Sequence, residues 1–224
     1  MKYAHLGLAS ILLSAILLAQ TKSQSDPKGG PAVREAAERG DAAAQYGLGL
    51  AYMLGLGVQK DETEALKWYR KAAEQGLASA QSMVGNFLED GLGNVAKNPS
   101  EALKWYRRAA DQGNVTTQSI LGWKYWKGQG LTQDYAEAVR WYQKAAEQGD
   151  VNAQLQLGFM YNKGQGVPQD YVQAHMWFNL AASRSNSNQK TLAELRDDLA
   201  AQMTPVQIAE AQRLAREWKP TTAK

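Results

Sequence analysis

Apolar residues return along this chain at helical spacing in short blocks, and each block but the last stops on glycine, with Ser185 in its place at the end. One block type runs Ala44-Gln45-Tyr46-Gly47-Leu48-Gly49. Its counterparts are Ala80-Gln81-Ser82-Met83-Val84-Gly85, Thr117-Gln118-Ser119-Ile120-Leu121-Gly122 and Ala153-Gln154-Leu155-Gln156-Leu157-Gly158. A second type follows each of these: Ala65, Ala102, Ala138 or Ala174, then Trp68, Trp105, Trp141 or Trp177, then Ala72, Ala109, Ala145 or Ala181. The tryptophans step by 37, 36 and 36 residues. A fixed period of this size marks a stack of like units, each too small to bury its apolar face alone. The pattern predicts an all-α array of four helix-pair repeats at 41–76, 77–113, 114–149 and 150–185.

Local signals place the helix ends. The first helix of each repeat stops at a Gly-x-Gly pair, Gly55/Gly57, Gly91/Gly93, Gly128/Gly130 and Gly164/Gly166, where glycine can take the left-handed conformation. No strand precedes these pairs, so they are not phosphate-cradling loops. The second helix opens with a capping box: Asp61-x-x-Glu64, Asn98-x-x-Glu101, Asp134-x-x-Glu137 and Asp170-x-x-Gln173. Pro99 stands at the first helical position of its copy, and one extra residue within 94–97 accounts for the single step of 37. A glycine inside a helix costs about 1 kcal/mol, so its recurrence in every first helix calls for a packing reason. The alanines and the Trp68, Trp105, Trp141, Trp177 column are expected to line the buried face.

The ends differ from the array. Residues 1–19, with Lys2 ahead of an apolar run from Leu6 to Ala19, read as a secretory signal peptide. Cleavage after Ala19 is the first choice and after Ser23 the second; an uncleaved anchor is the alternative. Residues 20–30 read as a flexible linker, with Pro27, Gly29 and Gly30. Residues 31–40 form a half-repeat that covers the end of the stack. Residues 189–219 read as two capping helices. The first is marked by Leu192, Leu195, Leu199 and Met203. The second opens at Thr204-Pro205-Val206-Gln207 and carries Ile208, Ala211, Ala215 and Trp218.

Composition narrows the chemistry. A formal charge of +3 gives no reason to expect a nucleic-acid partner. The absence of cysteine excludes disulfides, thiolate metal sites and Cys nucleophiles. Of the two histidines, His5 lies in the signal segment. His175 occupies the slot of Leu66, Leu103 and Val139, where a packed side chain is expected rather than a base or ligand. No metal, no cofactor and no catalytic set is expected, and after signal removal no membrane insertion. The basic stripe of the second helices (Lys67, Arg70, Lys71, Lys104, Arg107, Arg108, Arg140 and Lys144) reads as a solvated outer face with nearby carboxylates.

These residues resemble the Sel-1-like repeat, a relative of the tetratricopeptide repeat. The match is Ala-Gln…Leu-Gly…Tyr, then Gly-x-Gly-Val, Asp, Ala, Trp-Tyr and Ala-Ala-x-x-Gly, over roughly Pro31 to Ser185. The Met203-Thr204-Pro205…Ala211-Gln212…Leu214-Ala215 ending looks like the C-terminal cap of bacterial members. The resemblance implies a right-handed superhelix of antiparallel helix pairs that binds proteins, often at or beyond the bacterial envelope. Some secreted members are cysteine-rich and linked to β-lactam binding or hydrolysis; a chain without cysteine departs from that pattern.

On a helical wheel, Ala44, Gln45, Leu48, Gly49 and Tyr52 fall together, and positions 46, 50 and 53 fall almost opposite. The varying positions read Tyr46, Leu50, Met53; Ser82, Asn86, Glu89; Ser119, Trp123, Trp126; and Leu155, Phe159, Asn162. The resemblance implies that the first helices line the concave side, and aromatic anchors in a concavity are typical of interface hot spots. Tyr46, Leu50, Met53, Asn86, Glu89, Trp123, Trp126, Phe159 and Asn162 are therefore the candidate partner-binding residues. The alternative is that Trp123, Trp126 and Phe159 pack between repeats. The expected function is an exported, periplasmic or secreted, non-enzymatic scaffold that binds a protein or peptide through the concave face formed by the first helix of each repeat. The alternatives are an envelope hydrolase or binder of cell-wall or β-lactam compounds, and a regulator of an envelope enzyme.

Overall fold

The computed structural model describes residues 31–184 and 189–221; the signal segment 1–19 and the linker 20–30 lie outside the described residues. Among the described residues there are eleven helices and no strand. The chain divides into two compact units, the first ending at Gln112 and the second beginning at Gly113.

The first unit holds α1 (Pro31–Glu38), α2 (Ala42–Leu54), α3 (Glu62–Glu74), α4 (Ala78–Asp90) and α5 (Pro99–Asp111). Contacts between α2 and α3 run in opposite senses along the chain. Asp61 N–H donates to the Tyr52 carbonyl, Gly49 faces Ala65 and Tyr69, and Gln75 reaches Gln45. The pair is therefore an antiparallel hairpin. α4 and α5 repeat it through Asn98 with Leu88, Tyr106 with Gly85 and Gln112 with Gln81. The half-repeat α1 packs on α2, and Ala37 is buried there.

The second unit holds α6 (Val115–Lys127), α7 (Tyr135–Glu147), α8 (Val151–Lys163), α9 (Tyr171–Arg184), α10 (Gln189–Ala200) and α11 (Pro205–Glu217). α6 with α7 and α8 with α9 form the same hairpin, and α10 and α11 both pack on α9. The tail then folds back, where the Thr221 N–H donates to the Glu147 carbonyl over 2.7 Å.

The first helices end as the glycines require: Gly55 stands at φ +71° and Gly128 at φ +70°, a region costly for other residues. The N-caps also form. Asp61 accepts from Thr63 and Glu64 N–H, Asp134 from Ala136 and Glu137, and Asn98 from Glu101.

The reciprocal half of the capping box differs from expectation in the repeats. The backbone N–H groups of Asp61, Asn98, Asp134 and Asp170 already donate to carbonyls of Tyr52, Leu88, Tyr125 and Tyr161. The third-position side chains turn elsewhere: Glu64 pairs with Lys67, Glu137 with Arg140, and Glu101 accepts from the Asn98 side-chain amide. Tertiary closure of the hairpin takes the donor that the box would use. At Thr204 no such closure intervenes, and Thr204 and Gln207 form both bonds.

The aromatic core column also differs. Trp141 and Trp177 are buried, but Trp68 and Trp105 are only half-buried. The fully enclosed ring of each repeat is the next residue: Tyr69, Tyr106, Tyr142 and Phe178. It lies over the interior glycine of the first helix, which supplies the packing reason for Gly49, Gly85, Gly122 and Gly158. Three of the adjoining tryptophans, Trp68, Trp105 and Trp141, lie under a cation one turn along. Lys71 stands 4.1 Å from the Trp68 ring centre, Arg108 4.8 Å from Trp105 and Lys144 4.2 Å from Trp141.

Candidate functional site

The first helix of each repeat meets its partner helix along one face, which carries Gln45, Leu48 and Gly49 in α2 and Gln118, Leu121 and Gly122 in α6. These face inward because the second helix supplies the ring that fills them. The varying positions fall toward the edges of that contact, and the structure sorts them.

Three lean back into their own repeat. Tyr46 is half-buried with its ring 5.6 Å from Tyr69, and burial raises its hydroxyl pKa. Asn86 accepts a 2.8 Å hydrogen bond from the Tyr106 hydroxyl. Burial raises the Tyr106 pKa, and the neighbouring carboxylates of Glu89 and Asp90 push it further. Phe159 packs edge-on to Phe178 at 5.1 Å and joins the cluster built with Leu199, Met203 and Ala211 of the C-terminal cap. An outward position was the expectation for Tyr46 and Asn86, and one of two alternatives for Phe159. The wheel omits the second-helix ring, which extends past the glycine to side chains at the edge of the contact.

Leu50, Met53, Glu89 and Asn162 are half-buried, and Ser82 is buried. Ser119 donates to Asp150 over 3.2 Å. Burial raises the Asp150 pKa, and its bonds from Ala153, Ser119 and Asn152 oppose that rise. Leu155 packs against the cap.

Trp126 is intermediate. Its ring packs on the apolar cluster shared by the third and fourth repeats, and its indole N–H points to the Gln165 side-chain oxygen at 3.5 Å. Trp123 is 39% exposed, among the few large apolar side chains so open. Sequence reasoning passed over Lys127, whose ammonium stands 4.5 Å from the Trp126 ring centre. Its signal was its place directly after Trp126 in the last turn of α6. The structure thus exposes Trp123 and Lys127 beside half-buried Trp126 on one strip of α6, while Tyr46, Asn86 and Phe159 pack back into their own repeats.

His175 is 2% exposed within α9. Burial lowers its pKa, Arg196 lowers it further and Asp197 opposes both. Among the described residues its Nδ1 has no hydrogen-bond partner. The basic stripe of the second helices is exposed, with cations spent on tryptophan rings and on Glu64 and Glu137. Among the described residues, no group of three or more His, Asp or Glu side chains is placed to hold a metal ion. Among them, no helix is long and apolar enough to cross a membrane.

Antiparallel helix hairpins at a fixed period, each closed by a ring on a glycine, define an α-helical repeat protein. The chain belongs to the Sel1 repeat family, whose pattern matches residues 42–77, 78–114, 117–150 and 151–186. A crystal structure of a Sel1 repeat protein from Oxalobacter formigenes is 36% identical, with a TM-score of 0.69 over 75% of this chain and 47% of that one. The chitin synthase regulator SKT5 of Saccharomyces cerevisiae is 44% identical over 61 residues, 26% of this chain and 9% of that protein. HRD3A of Arabidopsis thaliana, a component of an ERAD-associated E3 ubiquitin-protein ligase, is 38% identical over 58 residues, 25% of this chain and 9% of its own length. The chain thus spans about half the length of the solved relative, and its matches cover about a tenth of each of the other two. The shared part is the repeat scaffold.

Proposed function

We propose that this chain is an exported, non-enzymatic scaffold that holds a protein or peptide on the outward face of its first helices, centred in the second unit on α6. The observation that carries this is Trp123, a large apolar side chain left open beside half-buried Trp126 on a Sel1 repeat. Leaving an indole in water forgoes about 1.5–3 kcal/mol of burial free energy, which a bound partner would recover. Two relatives support a binding role by their own descriptions, one a regulator of a synthase and the other a ligase component. Export rests on the charged and apolar pattern of residues 1–19.

The test is capture from an envelope fraction by wild-type protein and by Trp123→Ala. A protein retained by the wild type and lost by the variant is the expected result. Equal retention by both would move the binding surface elsewhere. N-terminal sequencing of protein recovered outside the cytoplasm checks export, with Gln20 as the expected first residue.

A further inference from the structure

We propose that the α6–α8 face of the second unit takes a partner segment in which carboxylates alternate with apolar side chains, an acidic and apolar peptide. The proposal rests on the reading above that the first-helix face is where a partner is held, and adds the chemistry of that partner.

The first observation is a one-sided charge. α6 and α8 expose Lys127 and Lys163, Lys124 being buried, and carry no aspartate or glutamate. Lys127 and Lys163 occupy the same register in successive repeats, both are exposed, and α6 touches α8 within the unit. Lysine near a helix C-terminus also complements the helix dipole. The array does not need it there, since α2 ends in Leu54 and α4 in Asp90.

The second observation concerns the carboxylates at the rims of these helices, which are committed to other work. Asp134 accepts from Ala136 and Glu137 N–H, Asp170 from Gln173 N–H, and Asp150 from Ala153 N–H and the Ser119 hydroxyl. Each sits at a helix N-terminus, where the dipole offsets its charge. The two lysine ammonium groups are left to set the field over the strip.

The third observation is apolar. Trp123 lies one turn before Lys127, and the Lys127 ammonium rests on the Trp126 ring. An indole beside an ammonium suits a segment that presents a carboxylate next to an apolar side chain: the carboxylate pairs with the cation while the apolar group covers the ring. A basic segment would meet two lysines on helices that carry no aspartate or glutamate, which is unfavourable where water is excluded.

The experiment selects displayed random peptides of about twelve residues on the wild-type chain and on a Trp123→Ala/Lys127→Glu/Lys163→Glu variant. All three side chains are exposed, and matched circular-dichroism melts confirm that the variant folds. The expected wild-type pool is enriched in Asp and Glu beside Leu, Phe or Trp. Its leading labelled peptide should lose at least about tenfold in affinity on the variant and weaken as salt rises. A pool lost on the variant but neutral or basic overturns the acidic assignment and leaves the first-helix face standing. A pool that binds both proteins equally, or no enrichment at all, overturns both readings.

Discussion

Tyr142 lies against the bare α-carbon of Gly122, so closely that a β-carbon there would stand 2.6 Å from the ring. The same approach joins Tyr69 to Gly49, Tyr106 to Gly85 and Phe178 to Gly158. Each glycine lets two helix axes close up, and each ring fills the resulting slot. The intrinsic helix preference for alanine, about 1 kcal/mol, is outweighed by this contact.

Gly122→Ala should therefore destabilise the second unit, although alanine is the better helix former. Overpacking of this kind costs about 1–3 kcal/mol, and Tyr142 is enclosed and cannot swing away. A thermal melt of the variant should show a lower midpoint. An unchanged or raised midpoint would mean that the ring has room to move.

The column of rings, rather than the column of tryptophans, carries the core. Tyr106→Ala should cost about 3–5 kcal/mol, with the Asn86 carbonyl also losing a donor. Trp105→Ala should cost clearly less, because that indole is half-exposed and shares its face with Arg108. Urea unfolding of the two variants side by side decides it; equal losses would restore the tryptophans as the core.

A glutamine relay ties neighbouring helices in the first unit. Gln75 donates to the Gln45 side-chain oxygen at 2.7 Å, and Gln45 donates to the Ala37 carbonyl at 3.1 Å. Gln45 is buried, so Gln75→Ala removes a donor from an oxygen that water reaches poorly. The expected cost is about 1–3 kcal/mol. The fourth repeat bears on this: Arg184 stands where the others have glutamine, and the Gln154 oxygen there has no hydrogen-bond partner among the described residues. Arg184→Gln should raise the melting midpoint if that oxygen is worth satisfying.

His175 should make stability depend on pH. Burial holds its pKa below the ordinary value of 6.5, so the unfolded chain binds the extra proton first. Its contribution is full above pH 6.5 and is lost as the pH falls below that value toward the lowered folded pKa. Melting midpoints taken from about pH 7.5 down to about pH 5.5 should fall more steeply for wild type than for His175→Leu. Leucine is the residue at Leu66 and Leu103 in the same slot. Parallel curves would place the titration elsewhere.

The period, the helix ends, the N-caps, the stop glycines and the family were legible in the sequence, because each depends on residues within a turn or two of one another. Asp61 caps α3 through Thr63 and Glu64 next to it, and Gly128 ends α6 by its own backbone freedom. Which of two adjacent aromatics is core was not legible, since Trp105 and Tyr106 are equally periodic. Only the glycine of the opposing helix decides between them. The fate of Trp123 and Phe159 was likewise a tertiary matter. They hold the same register one repeat apart, yet the C-terminal cap packs on Phe159 and leaves Trp123 in water. Periodicity places a side chain on a helix face; what arrives to cover that face is set by segments distant in the chain.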